Sequence, residues 1–134
     1  MSITATIVPE NMRLSMFPKY FQNYVGVENA IYDMARSLSQ DYDGGYWEFV
    51  VLSNNGFFIM PSKKMYHVIN GMNWSEEDMD EEAFGLTCTI MVMSHYSFQV
   101  KNDTELESVV KNYDALREYA YDHKYASAIM AILD

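Results

Sequence analysis

The spacing of hydrophobic positions changes along the chain, and the first regular stretch has the period of a helix. Residues 1–22 show no sustained period and predict an irregular arm or a short helical turn. From about residue 24 to 40, apolar side chains recur at steps of four, three and four, at Val27, Ile31, Met34 and Leu38. This spacing places them on one face of an amphipathic helix.

The next stretch alternates with a period of two, which is typical of strands. Asp43-Gly44-Gly45 is expected to end the helix, because glycine readily adopts the left-handed conformation of helix ends. Residues 46–52, 57–60 and 65–69 are predicted strands, and Ser53-Asn54-Asn55-Gly56 is a predicted hairpin turn. Three successive strands joined by short turns predict a small three-stranded antiparallel meander.

The remainder of the chain is predicted to be helical. Ser75 or Asp80 can cap a helix that is apolar nearly all round and therefore central. The spacing Thr104-x-x-Glu107 is a capping box that opens a second helix, and a last helix covers about residues 123–133. The order of elements predicts an α+β fold, in which residues 1–134 form a single domain with the meander packed against about four helices.

The charge of the chain limits the partners it can bind. Nine Lys and Arg stand against nineteen Asp and Glu, which gives a formal net charge of −10 over 134 residues. Such a surface repels nucleic-acid phosphates and anionic membranes, so neither direct nucleic-acid binding nor membrane binding is expected. It suits a basic protein partner, or it serves only solubility. A single cysteine and the absence of a signal-like N-terminus predict a cytoplasmic protein.

The densest negative charge follows Trp74 and is the first candidate contact surface. Six carboxylates occur among seven residues, at Glu76, Glu77, Asp78, Asp80, Glu81 and Glu82. Acids are also favoured at a helix start for purely structural reasons, because the helix dipole is positive there. Asp134 and the terminal carboxylate form a second candidate, because the dipole disfavours negative charge at a helix end and a basic partner would relieve it.

Groups able to perform catalysis or hold a metal are spread apart in the sequence. His67, His95 and His123 have no second histidine or cysteine at metal-ligand spacing, so no metal site is predicted. We expect structural roles for His67 and His95, and a capping or surface role for His123. Cys88 lies mid-helix among apolar neighbours, which is the setting of an inert core thiol. No catalytic residue and no cofactor are predicted, so the chain is not expected to be an enzyme.

Several segments of the strand region and its flanks resemble the ArdB/KlcA antirestriction family. The similarity centres on Gly44-Gly45-Tyr46-Trp47-Glu48-Phe49, Leu52-Ser53-Asn54 and Gly56-Phe57-Phe58-Ile59-Met60 followed by Pro61. Ala83-Phe84-Gly85-Leu86 and the closing Leu133-Asp134 are similar in order and spacing. The chain departs from the family pattern at a few positions, among them Lys124-Tyr125, where Pro-Glu is expected.

This resemblance implies a protein of plasmids, phages or genomic islands. Such a protein would protect incoming DNA from host type I restriction-modification by contacting the restriction enzyme or an associated host factor, without catalysis or a cofactor. The alternative is an acidic mimic of DNA. A mimic needs carboxylates at something like the charge spacing of the duplex, about one per 1.7 Å. Only residues 76–82 are that dense, because the other acids are interleaved with basic residues.

Overall fold

Helices and strands alternate unevenly along the chain, with most of the helical structure in its second half. The computed structural model describes residues 2–134. Its strands are β1 Ala5–Ile7, β2 Glu48–Leu52, β3 Phe57–Met60, β4 Tyr66–Asn70 and β5 Ser75–Met79. Its α-helices are α1 Met16–Tyr20, α2 Tyr24–Leu38, α3 Glu81–Ser97, α4 Asp103–Tyr121 and α5 Ala126–Leu133, and a 3-10 helix covers Glu10–Ser15. The predicted α+β class is confirmed.

Two small antiparallel sheets take the place of one continuous meander. The first has the order β1-β2-β3, and the second is the hairpin of β4 and β5. The first sheet therefore has three antiparallel strands, as expected, but its third strand is β1 and not β4. The period of two identifies β4 as a strand without saying which strand it pairs with. Strand β1 is only three residues long and is exposed at each position, so the short alternation of apolar and polar residues around it, Ile3-Thr4-Ala5-Thr6-Ile7, was not interpreted as a strand.

The segment Ser75–Met79 is a strand, which corrects the helix predicted to start near Ser75. It pairs with β4 in a register that sets Ser75 opposite Asn70 and Met79 opposite Tyr66. Its run of acids matches the composition of a first helical turn, and this similarity misled the prediction. The helix begins after Asp80, whose Oδ1 accepts a hydrogen bond of 2.9 Å from the Ala83 N–H. Asp80 is therefore the N-cap, one of the two positions proposed from the sequence.

Helix α3 is the centre of the core, as its apolar composition predicts. Eleven of its residues are buried, and they include Cys88, which is fully inaccessible. Burial raises the pKa of the Cys88 thiol, so the thiol stays protonated. The helix lies against β3 at backbone distance, because a Cβ atom on Gly85 would sit 2.2 Å from the Ile59 carbonyl oxygen. Only glycine allows this approach.

The outer edge of β3 is closed by side chains from two helices. The amide of Asn112 on α4 accepts a hydrogen bond of 2.7 Å from the Phe57 N–H and donates one of 3.1 Å to the Phe57 carbonyl. Thr89 Oγ1 on α3 accepts from the Ile59 N–H at 3.5 Å. Asn112 is 3% exposed, so both of its bonds are shielded from water. Both outward N–H groups of this edge, at Phe57 and Ile59, are therefore satisfied without another strand.

The connection between β4 and β5 is fastened to the end of α5. Asn70 Nδ2 donates a hydrogen bond of 2.8 Å to the Ile132 carbonyl, and Asn73 Nδ2 donates one of 3.1 Å to the Ala131 carbonyl. Ser75 Oγ donates to the same Ala131 oxygen at 2.7 Å. The last carbonyls of a helix have no partner within it, so these side chains supply the missing donors. The hairpin tip is thereby fixed beside the C-terminus.

Candidate functional site

The six clustered carboxylates are divided between two elements. Glu76, Glu77 and Asp78 lie on β5, whereas Asp80 caps α3 and the last two occupy its first turn. Because alternate residues of a strand point to opposite faces, Glu76 and Asp78 share the exposed face and Glu77 lies on the other. The acids predicted as one contact surface therefore point in several directions.

His67 joins the two exposed acids of β5. It lies opposite Asp78 on β4, with Nδ1 2.6 Å from Asp78 Oδ1 and Nε2 2.6 Å from Glu76 Oε2. A protonated imidazole donates to both carboxylates, so the hydrogen bonds to Asp78 and then Glu76 raise the pKa of His67. All three side chains are open to solvent. The predicted structural role of His67 thus corresponds to a cross-strand clamp on the hairpin surface.

Glu82 belongs to an internal network. Its Oε1 accepts hydrogen bonds from the Tyr119 hydroxyl at 2.8 Å and from His123 Nε2 at 2.7 Å. The Tyr125 N–H donates to His123 Nδ1 at 3.0 Å, so the proton of a neutral imidazole lies on Nε2. The hydrogen bond from His123 is the main cause that lowers the pKa of Glu82. The side chain of His123 is 5% exposed, so a surface role is wrong for this residue.

Asp80 is also engaged within the molecule, whereas Asp134 is exposed to solvent. The second oxygen of Asp80 lies 3.3 Å from Lys124 Nζ, and its side chain is only 17% exposed. Asp134 is exposed after the last turn of α5, where its N–H donates to the Met130 carbonyl at 3.0 Å. Because the hairpin tip is fastened to the same end of α5, Asp134 and the start of β5 lie at one end of the protein.

The concave surfaces lie away from the histidine–carboxylate pairs. One is an open depression of about 840 Å³ between α4, α1 and the β2–β3 turn, lined by residues such as Lys19, Asn54 and Lys111. A second, of about 430 Å³, lies between β1 and the segment of α1. In the part of the chain that the structure describes, no group of three or more His, Cys, Asp or Glu is arranged to hold a metal ion. Nor is any helix of residues 2–134 long and apolar enough to cross a membrane.

Comparison with known proteins identifies the family of this chain. A family model described as antirestriction protein matches residues 40–134. The chain belongs to the antirestriction protein family. The YfjX protein of Escherichia coli K12, which is uncharacterized, is 31% identical over 138 residues, covering 98% of this chain and 88% of its own. An Escherichia coli antirestriction protein, KlcA, is 26% identical over 136 residues, covering 98% and 95%.

A solved structure extends the family relationship to the whole fold. The match has a TM-score of 0.87 at 26% identity and covers 100% of this antirestriction family member and 96% of the solved chain. That structure belongs to work on KlcA and ArdB, which show a novel fold and antirestriction activity against type I DNA restriction systems in vivo but not in vitro. The resemblance to the ArdB/KlcA family seen in the sequence is therefore confirmed.

The sequence missed the partners of two histidines. Asp78 and Glu76 follow His67 by 11 and 9 residues, and they reach it only because the β4–β5 turn sets the strand register. The 41-residue separation between Glu82 and His123 carries no periodic signal. Ser75–Met79 has no alternation of apolar and polar side chains, because its first four residues are all polar, so the sequence indicated neither this strand nor the His67 clamp.

Proposed function

We propose that this chain protects incoming DNA from type I restriction-modification in cells by contacting a protein, without catalysing a reaction. The observation that carries the proposal is the match of the complete chain to a KlcA/ArdB structure with a TM-score of 0.87. Those proteins act against type I systems in vivo. Since function resides in sites and not in folds, the surface chemistry of this chain must support the transfer.

The reactive side chains support contact in preference to catalysis. Cys88 is buried, and its raised pKa keeps it from acting as a thiolate nucleophile at neutral pH. Glu82 and His123 bind each other and Tyr119 beneath the surface. His67 is exposed but lies on a strand face outside the depressions described above, with its ring held by Glu76 and another carboxylate. An enzyme needs such groups to converge where a substrate can be enclosed.

The distribution of charge supports a protein partner. A net charge of −10 opposes binding to nucleic acid. Extended mimicry of DNA is less well supported, because the densest acids point to both faces of β5 and two of them, Asp80 and Glu82, are bonded within the molecule. For KlcA and ArdB, activity in vivo but not in vitro favours a requirement for a cellular component. The proposed partner is accordingly a restriction enzyme in its cellular setting or an associated host factor.

The setting of this activity is part of the proposal. We infer a mobile-element origin, because antirestriction benefits DNA that enters a new host. The proposed place of action is the cytoplasm, where incoming DNA meets restriction enzymes. We further propose that residues 1–134 work as one domain, which is supported by a single apolar core with contributions from the first sheet, the hairpin and every α-helix.

Phage plating tests the proposal directly. The chain is expressed in cells with an active type I system, and the plating efficiency of unmodified phage is compared with that of phage already modified by the host. We expect expression to raise the efficiency for unmodified phage toward that for modified phage. The control is an isogenic strain lacking the restriction subunit, where expression should change nothing.

Two outcomes would contradict the proposal. Plating of unmodified phage that is unaltered by expression would refute the antirestriction function. A purified chain with metal-dependent nuclease, phosphatase or methyltransferase turnover would refute action by contact alone.

A further inference from the structure

The tip of the β4–β5 hairpin displays two large apolar side chains to solvent. Met72 is 93% exposed and Trp74 is 88% exposed. Single exposed apolar residues are common and need no explanation. Here, however, two of them are separated by a single residue on one projecting turn, and Ile69 at the end of β4 is 44% exposed as well. Trp is also one of the side chains enriched among the residues that dominate protein interfaces.

The backbone that presents Trp74 is both strained and rigidly held. Its φ angle is 61°, in the left-handed region that bulky residues rarely adopt. Asn73 Oδ1 accepts a hydrogen bond of 2.9 Å from the Ser75 N–H, and Asn70 Oδ1 accepts one of 3.0 Å from the Met72 N–H. The same turn is fastened to the carbonyls of α5. Trp74 is not part of the buried core, so core packing does not account for this strain, and strain of this kind concentrates at functional positions.

The negative charge around the tip favours a partner with basic groups. No Lys or Arg occurs between Met65 and Val100, so the whole hairpin is free of both, and none occurs in α5. Glu76 and Asp78 line the exposed face behind the tip, and Asp134 ends the helix to which the turn is fastened. His67 lies between the first two of these carboxylates and offsets at most one of their charges, so basic groups on a partner would still meet a net negative surface on this side of the protein.

We propose that the hairpin tip, meaning Met72 and Trp74 with Glu76 beside them, is a docking surface for a protein that offers an apolar recess bordered by Arg or Lys. Trp74 enters the recess, and the carboxylates pair with its rim. This inference deepens the proposed function and rests on it, because it assigns the surface through which the antirestriction contact is made. A second copy of this chain would bring like charges together, and nucleic acid would be repelled.

The test distinguishes loss of the Trp74 side chain from loss of folding. Trp74→Asn removes the aromatic ring but keeps a residue that tolerates the left-handed conformation, so the variant should melt at or above the wild-type temperature. With expression held near the lowest level at which the wild type protects, we expect rescue of unmodified phage to fall by about tenfold or more, the effect of truncating a central interface tryptophan. Glu76→Lys should reduce rescue more than Glu76→Gln.

The matched control is Phe98→Asn. Phe98 is also 88% exposed, but it follows the last residue of α3, about 25 Å along that helix from β5. This variant should rescue phage like the wild type. If the wild type itself gives no rescue, the proposed function fails, and the docking surface fails with it. If the wild type rescues and Trp74→Asn rescues equally well, or if Phe98→Asn loses as much, only the docking surface is overturned. Self-association or DNA binding that is lost in Trp74→Asn would also overturn it.

Discussion

Replacing Gly85 by alanine places a methyl group where helix α3 touches strand β3. The new Cβ would lie 2.2 Å from the Ile59 carbonyl oxygen, 2.5 Å from Met60 Cα and 2.7 Å from Met60 Cβ. Carbon–oxygen contacts are comfortable only at about 3.3–3.6 Å, so helix and strand must separate by about 1 Å. Two of the three contacted atoms belong to the backbone, so no flexible side chain can absorb the shift.

The expected loss of stability follows from three terms. Overpacking of a dense core costs about 1–3 kcal/mol, and a backbone clash belongs at the upper end, about 3 kcal/mol. Separation of the elements also breaks the bond from the Ile59 N–H to Thr89 Oγ1, which is 3.5 Å long already, and this loses about 1 kcal/mol. The higher helix propensity of alanine relative to glycine offsets about 1 kcal/mol of this loss. The net destabilisation is about 3 kcal/mol.

Chemical denaturation followed by circular dichroism measures this change. For a chain of this size, about 3 kcal/mol corresponds to a fall of about 10 °C in the melting temperature. The control is Gly71→Ala, whose Cβ meets no atom within 4 Å. It should stay within about 0.5 kcal/mol of the wild type. If Gly85→Ala unfolds within that same margin, the argument that α3 and β3 are held at glycine-only distance is refuted.

Two further substitutions test the buried polar contacts. Asn112→Leu leaves the Phe57 N–H and carbonyl without partners. We therefore expect the free energy of unfolding, measured by denaturant titration, to fall by about 2–4 kcal/mol. A fall below about 0.5 kcal/mol would show that these hydrogen bonds at the β3 edge are unimportant for stability. Glu82→Gln should lower the melting temperature at neutral pH. Because the pKa of Glu82 is lowered in the fold, its stabilisation is present above the unfolded pKa and lost as pH falls through the folded value. The difference between the proteins should therefore shrink in acid, and a difference independent of pH would contradict the His123 contact.

Elements with a strong local signal were predictable from the sequence. The strand predicted over residues 57–60 has those bounds, and the apolar face of α2 contains the buried Val27, Ile31 and Leu38. Helix α3 is central, as its composition predicts. In each case the apolar pattern within the element itself indicates which residues are buried, so it is sufficient to predict the element.

Pairing and charge orientation were not predictable in the same way. Strand β5 has the acids of a helix start, and only its register with β4 shows that Glu76 and Asp78 share a face. The cluster predicted from consecutive acids contains both exposed and internally bonded members, because Glu82 meets His123 from another helix. Such contacts depend on how distant segments meet, and no local period records them.

The amide of Asn112 also limits how this protein can misassemble. Growth of a fibril by strand addition requires each molecule to accept a neighbour on two sides. In the three-stranded sheet, the margin at β3 already has its amide groups occupied by α3 and α4 side chains, which leaves only the three-residue margin at β1. Strand addition through this three-stranded sheet can therefore join no more than two molecules.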